Sequence, residues 1–307
     1  MRKDIKLAIV IPVYNSSSIL PVLMERMNQT LKEFTYTVIF VNDGSKDNSW
    51  ETLLALKQSY PLQVTAINLS RNYGQHNAIL CGLSYAKADV VVTMDDDLQH
   101  APEDILKLLN RFNETNADIV YGEYTNRQHD MISSAGSYIM DKSNTVKFDK
   151  VGRGSSFRLL KQEIIDKIVL NHQHNFHFID EVISWYTSTV EFVPIEHHKR
   201  FAGKSGYSKS KQFSMFLNTF VNYSAAPLKM MTYLGIAGSI LTFLLGSFFI
   251  AKKIFFQISV PGFTALIVAV LFSTSIILLC FGIIGQYLYR ILQIQHRKPP
   301  FSVKQII

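Results

Sequence analysis

Val90-Val91-Val92-Thr93-Met94-Asp95-Asp96-Asp97-Leu98-Gln99 is an apolar run that ends in three adjacent carboxylates. A continuous β-branched run of this length is what a strand covered on both faces looks like. Neighbouring carboxylates repel one another, so a fold that gathers them gains something by it, and a divalent cation supplies that gain. Side chains alternate along an extended chain, so Asp95 and Asp97 are expected on one side and Asp96 on the other. Asp97 is assigned as the direct ligand of Mg²⁺ or Mn²⁺, Asp95 as a group touching ribose or metal, and Gln99 as their support. Oxygen ligands suit these hard ions, and Mg²⁺ keeps places for substrate phosphates. The plain alternative is a solvated acidic loop.

Working outward, apolar runs at 7–13, 37–41, 64–69 and 119–121 also read as strands. Helical spacing fills 19–34, 48–60, 78–86 and 102–112 between them, with Asn48 and Glu51 resembling a capping box. Strands that alternate with helices imply an α/β head with a mostly parallel sheet. Ligands of such sheets bind at the carboxyl ends of strands. Tyr14-Asn15, Asn42-Asp43 and Asp95–Asp97 each follow a strand end, which argues for one site. The Asp43 carboxylate can accept hydrogen bonds from a base or a ribose, and Gly44 permits the turn; Asp-Gly is also common turn chemistry. The polar segment 123–153 is expected to be a mobile lid or to face an acceptor.

The second half of the chain has another character. Residues 197–307 carry 12 Lys and Arg and no acid, while residues 1–196 carry a net charge of −5 within a total of +7. Two uncharged stretches, 230–251 and 263–289, each hold the roughly 20 apolar residues needed to cross about 30 Å of hydrocarbon. Basic residues flank them, which favours anionic lipid over nucleic acid as the partner. A helix lying in the membrane interface is expected at 208–229, and the alternative is a core helix of the head. Lys199 to Lys229 precede the first span, Arg290 to Lys304 follow the second, and Lys252 and Lys253 alone lie between. The positive-inside rule then places head and C-terminus in the cytoplasm, in a multi-pass protein of the inner membrane. Cys81 and Cys280 give no disulfide framework, which suits a cytoplasmic head. The run 7–13, broken by Pro12, reads as a strand rather than a signal peptide.

These residues together resemble family 2 glycosyltransferases with a GT-A type head. The matching stretches are Val10-Ile11-Pro12-Val13-Tyr14-Asn15, Val41-Asn42-Asp43-Gly44-Ser45, Leu69-Ser70-Arg71-Asn72-Tyr73-Gly74 and Asp95-Asp96-Asp97-Leu98-Gln99-His100. Phe157-Arg158-Leu159-Leu160 and Arg200-Phe201-Ala202-Gly203-Lys204-Ser205-Gly206-Tyr207 follow. With the two-span tail, the arrangement is similar to polyprenyl-phosphate glycosyltransferases, the bacterial relatives of dolichyl-phosphate mannose synthase. The resemblance implies a nucleotide-sugar donor, a divalent metal and an acceptor such as undecaprenyl phosphate. It places Pro12, Tyr14 and Asp43 on the nucleoside, usually uridine, and Arg71 and Gly74 along the donor pocket. Asp95, Asp97 and Gln99 would organise metal and diphosphate. Arg200, Lys204, Ser205 and Tyr207 would clamp phosphates near the membrane, with Ser156 and Arg158 on the acceptor side.

One position departs from the pattern. Many relatives carry Asp before the Phe-Arg-Leu run, where this chain has Ser156. Serine cannot act as the base, and Asp180 or Glu181 is the substitute carboxylate considered for catalysis. A phosphate monoester has a second pKa near 6, about the value at which it already offers a nucleophilic oxygen at neutral pH, so the base is dispensable. His172, His174 and His177 lack the spacing of a helical zinc pair. The expected organisation is a head at 1–207, an interfacial helix at 208–229, two spans within 230–295 and a cytoplasmic tail at 296–307, with room for a homo-oligomer. The rival functions are transfer to a growing polysaccharide, for which no Gln-x-x-Arg-Trp motif is present, and a non-catalytic membrane scaffold.

Overall fold

The computed structural model describes residues 4–124, 156–171, 179–196, 262–295 and 299–307, with isolated helical positions between 233 and 255. The chain divides into two compact units. The first comprises Met1–Asp130, Lys147–Ser205 and Arg297–Ile307, the second Met131–Val146 and Gly206–His296.

The first unit begins with β1 (Leu7–Val13), α1 (Leu20–Thr30), β2 (Tyr36–Asn42), α2 (Ser49–Ser59), β3 (Val64–Leu69), α3 (Gln75–Tyr85) and β4 (Val90–Thr93). A 3-10 turn at Pro102–Asp104 leads into α4 (Ile105–Thr115) and β5 (Ile119–Tyr124). Then come β6 (Arg158–Lys161), α5 (Gln162–Asn171), α6 (Ile179–Ser184), β7 (Val190–Ile195) and, at the C-terminus, β8 (Val303–Ile306). All the strands join one sheet in the order β7-β5-β6-β4-β1-β2-β3-β8. β1 lies parallel to β2 and β4, β2 to β3, and β5 to β7; β6 and β8 run antiparallel to their neighbours.

The apolar strands have two faces to fill, and the helices divide between them. Ile9, Ile11 and Val13 pack with Leu20 and Leu23 of α1, Leu53 of α2 and Leu108 of α4. Ala8 and Val10 turn the other way, onto Ala78 and Ile79 of α3 and Ile164 and Ile168 of α5. Each fully buried aliphatic side chain contributes about 1.5–3 kcal/mol. The chain moves outward through β1, β2 and β3, then returns to set β4 on the other side of β1. The crevice beyond the carboxyl ends of β1 and β4 is therefore a topological switch point.

The mostly parallel α/β sheet matches the expectation, with differences at several ends. Helix α3 opens at Gln75 because Gly74 caps it with φ 90. Asn48 makes no side-chain cap on α2. Asp47 does that work instead, accepting the Ser49 amide and hydroxyl at 3.1 and 2.6 Å. Strands β6, β7 and β8 were not foreseen, and the stretch expected to be only a tail supplies the last of them.

In the second unit, α7 (Phe263–Gln295) is a continuous helix of 33 residues. Among its described side chains Leu266, Phe272, Phe281 and Leu288 are more than half exposed. Some side chains of α7, most of 230–255 and all of 208–229 lie outside the described residues. Over what is described, no helix is long and apolar enough to cross a membrane, so the expected hairpin is not among the observed features.

Candidate active site

Strand β2 delivers Asp43 into a buried position beneath the loop that follows β3. Its Oδ1 accepts the Tyr73 amide at 2.7 Å and its Oδ2 accepts the Gly74 amide at 2.9 Å. Asn72 Nδ2 donates to the Asp43 carbonyl at 3.1 Å. Because Gly74 caps α3, the carboxylate also meets the positive end of that helix. Burial pushes the Asp43 carboxyl above its ordinary range, while the two amides pull the other way. Gly44 is required by contact as well as by turn geometry. Its φ is +66, and a Cβ there would lie 2.6 Å from the Asn72 amide nitrogen.

Strand β4 delivers the acidic turn. Asp95 accepts Gln75 Nε2 on Oδ1 and the Ser156 hydroxyl on Oδ2, both at 2.6 Å. Asp97 Oδ1 accepts the Gln99 amide at 3.1 Å, closing a tight turn in which Leu98 takes φ 59. A left-handed leucine costs about 1–2 kcal/mol, and such strain gathers at functional sites. Asp96 has a different partner, its Oδ2 accepting the Tyr14 amide at 3.2 Å. Burial pushes its carboxyl up to about 6, against the hydrogen bonds from Ser16 and Tyr14, and the charges of Asp95 and Asp97 add to the rise.

Three strand ends thus meet. Asp96 ties the end of β1 to the acidic turn. Gly74 and Gln75, adjacent at the start of α3, tie Asp43 to Asp95. Pro12 is buried in β1, Tyr14 is 46% exposed beside it, and the exposed Arg71 guanidinium lies over the Tyr73 ring at 4.8 Å. Tyr124 at the end of β5 stacks on His100, which stacks in turn on Phe157, with ring centroids 5.3 and 5.1 Å apart. Burial raises the Tyr124 hydroxyl pKa far above its usual value, and the charges of Asp95 and Asp97 reinforce it. An open cavity of about 400 Å³ beside Asp89, Phe112 and Lys161 lies at the other end of β4 and shares none of these residues.

Behind the turn sits a buried polar knot. Arg158, only 1% exposed, donates Nε to Thr93 Oγ1 at 3.0 Å and pairs its guanidinium with the Asp180 carboxylate. Tyr121 donates to the same carboxylate at 2.9 Å, and the Thr93 hydroxyl donates to the Ser156 carbonyl at 2.7 Å. Sequence reasoning assigned Arg158 to a phosphate and Asp180 to catalysis. The structure places them together, in the core that holds β4 and β6 in register. Gln75, Tyr124 and Thr93 were not singled out. Gln75 alone carried a signal, as the first residue after a Gly positioned to start a helix.

Arg200, Lys204, Ser205, Tyr207, the segment 125–155 and the histidines 172, 174 and 177 lie outside the described residues. Among the described residues no group of three or more His, Cys, Asp or Glu side chains is arranged to hold a metal. Two carboxylates and an amide oxygen are still a sufficient protein contribution for Mg²⁺ or Mn²⁺ when substrate phosphates complete the shell. The donor set of Asp95, Asp97 and Gln99 fits that demand.

Residues 8–183 match the family described as glycosyl transferase family 2. Over nearly its full length the chain is similar to curated proteins. An uncharacterized glycosyltransferase of Synechocystis is 32% identical, covering 98% of this chain and 96% of that one. The bactoprenol glucosyl transferase of Shigella phage SfV is 29% identical over 97% and 98%. An undecaprenyl-phosphate 4-deoxy-4-formamido-L-arabinose transferase of Photorhabdus laumondii is 27% identical over 98% and 94%. Among solved structures, glucosyl-3-phosphoglycerate synthase from Mycobacterium tuberculosis, in complex with Mn²⁺, UDP and glucosyl-3-phosphoglycerate, superposes with a TM-score of 0.51. It covers 71% of this chain and 78% of its own at 12% identity, and so establishes a GT-A-like fold.

Proposed function

Because the chain belongs to glycosyl transferase family 2, we propose that it transfers a sugar from a UDP-sugar to a polyprenyl phosphate such as undecaprenyl phosphate. The carrying observation is the junction at Gly74-Gln75, which sets a strand-end carboxylate and the acidic turn around one crevice. Relatives named for bactoprenol and undecaprenyl phosphate support the acceptor. The Mn²⁺ and UDP of a protein with the same fold support the metal and the donor.

In this reading Asp43 braces the loop that lines the donor pocket, and Pro12 and Tyr14 border the nucleoside. Asp95, Asp97 and Gln99 would hold Mg²⁺ or Mn²⁺, which when bound neutralises charge on the nucleoside diphosphate. An acceptor phosphate oxygen attacks the anomeric carbon while the bond from that carbon to the diphosphate oxygen breaks. The nucleoside diphosphate leaves and the anomeric configuration inverts. The acceptor is already ionised, with its second pKa near 6, so Ser156 need not remove a proton. Arg200, Lys204, Ser205 and Tyr207 are assigned to clamp phosphates, and the charges of Arg200 and Lys204 to offset repulsion between the two phosphorylated reactants.

The same reading makes the second unit a membrane anchor in the inner membrane, with 208–229 at its surface and the head in the cytoplasm. The exposed apolar side chains described along α7 support this.

The test is purified protein with labelled UDP-sugars, undecaprenyl phosphate in detergent, and Mn²⁺. Label should enter the lipid fraction with one donor. Absence of lipid-linked label with every donor and metal would sink the proposal.

A further inference from the structure

Strand β8 covers the outer edge of the sheet, but it also reaches past the strand it covers. Ile306 lies opposite Ile67, Gln305 opposite Asn68 and Val303 opposite Leu69, with a register break between Asn68 and Leu69. Ala66 and Ile307 exchange backbone hydrogen bonds of 3.1 and 3.0 Å. Beyond Leu69, where β3 ends, the Ser70 amide donates to the Ser302 carbonyl at 2.9 Å. The Ser70 hydroxyl lies 3.1 Å from that carbonyl and 3.2 Å from the Ser302 hydroxyl. Phe301 and Val303 pack against the cluster that contains Ile67, Leu69 and Ala78.

Covering an edge requires contacts along β3 alone. The contacts to Ser70 fall instead on the first residue of the loop whose far end, Tyr73 and Gly74, is held by Asp43. The loop carrying Arg71 is thus anchored at both ends, by a buried carboxylate at one and by the chain terminus at the other. We propose that the C-terminal strand is a positioning segment for the nucleotide-sugar loop, with Phe301 seating it and Ser302 holding Ser70. The donor assignment rests on the function proposed above, whereas the mechanical link from Ser302 to the loop does not.

The experiment compares the full-length protein with Phe301→Ala, Ser70→Ala and a chain ending at Pro300. Amides of 70–77 should exchange about tenfold faster in the shortened chain and in Phe301→Ala, with those of β1 and β4 unchanged. The donor KM should rise about tenfold with kcat within about twofold of wild type. A synthetic peptide of residues 299–307 at millimolar concentration should restore both in the shortened chain, as an added edge strand. Unchanged protection of 70–77 in a folded shortened chain overturns the proposal, as does a loss that the peptide leaves unrepaired. If the shortened chain does not fold, exchange in Phe301→Ala and Ser70→Ala decides by the same criterion. If the wild type transfers no sugar, the proposed function fails while the exchange data still decide the role of the tail.

Discussion

The Ser156 hydroxyl and the Gln75 amide grip the two oxygens of Asp95 at 2.6 Å each. The pattern that the sequence resembles has Asp, in many of its members, where Ser156 stands. A hydroxyl can donate to Asp95, while a second carboxylate at the same place would repel it. Ser156 therefore orients the Asp95 carboxylate within the acidic turn.

Removing that hydroxyl should lower kcat about five- to tenfold, the value of one partly exposed charge-assisted hydrogen bond of ~1 kcal/mol. Ser156→Ala should also need more Mn²⁺ for half-maximal rate, and Ser156→Thr should recover most of the loss. A metal titration of turnover checks this. A Ser156→Ala curve that overlays wild type removes the orienting role.

Asp97→Ala should cost about 10²–10³-fold in kcat, as expected for a lost contributor to charge stabilisation in the transition state. Chelation of wild type with EDTA should give a similar loss that Mn²⁺ or Mg²⁺ reverses. Steady-state assays with and without chelator measure both, and near-normal turnover in the variant would end the assignment of Asp97 as a ligand.

Gly44→Ala should damage donor binding at a distance. The added Cβ meets the Asn72 nitrogen at 2.6 Å and the Arg71 carbonyl carbon at 2.7 Å, from a left-handed backbone. Strain there costs about 1–2 kcal/mol. The loop 71–74 must shift, so KM for the nucleotide-sugar should rise more than kcat falls. Equal loss in both would place the effect elsewhere.

Asp180→Ala should act on stability. It leaves the Arg158 guanidinium buried without its carboxylate, which typically costs about 3–5 kcal/mol. The thermal midpoint should fall by about 10 °C, while turnover per folded molecule stays close to wild type. Replacing both partners by apolar residues, as in Arg158→Met with Asp180→Leu, should restore much of the midpoint. An Asp180→Ala protein that is stable but inactive would return the residue to catalysis.

The parallel half of the sheet was readable from the chain because each central strand is buried on both faces, which leaves a continuous apolar run. The acidic turn was readable for a related reason. Repelling carboxylates after such a run have few explanations. Strand β6 was harder, since Arg158-Leu159-Leu160-Lys161 is short and opens with a charge. It becomes a strand because β4 and β5 offer it two edges.

The sequence alone settled the α/β class, the family and the residues that crowd the strand ends, all of which follow from local periodicity and short motifs. Tertiary structure decided the partners. It paired Arg158 with Asp180, set Ser156 against Asp95, and made a strand of Val303-Lys304-Gln305-Ile306, whose side chains are mostly exposed. Those outcomes depend on which groups, from 22 to more than 200 positions apart, share a desolvated space or an open backbone edge. No local pattern encodes such a distance, because a hydrogen bond is specified by both of its ends.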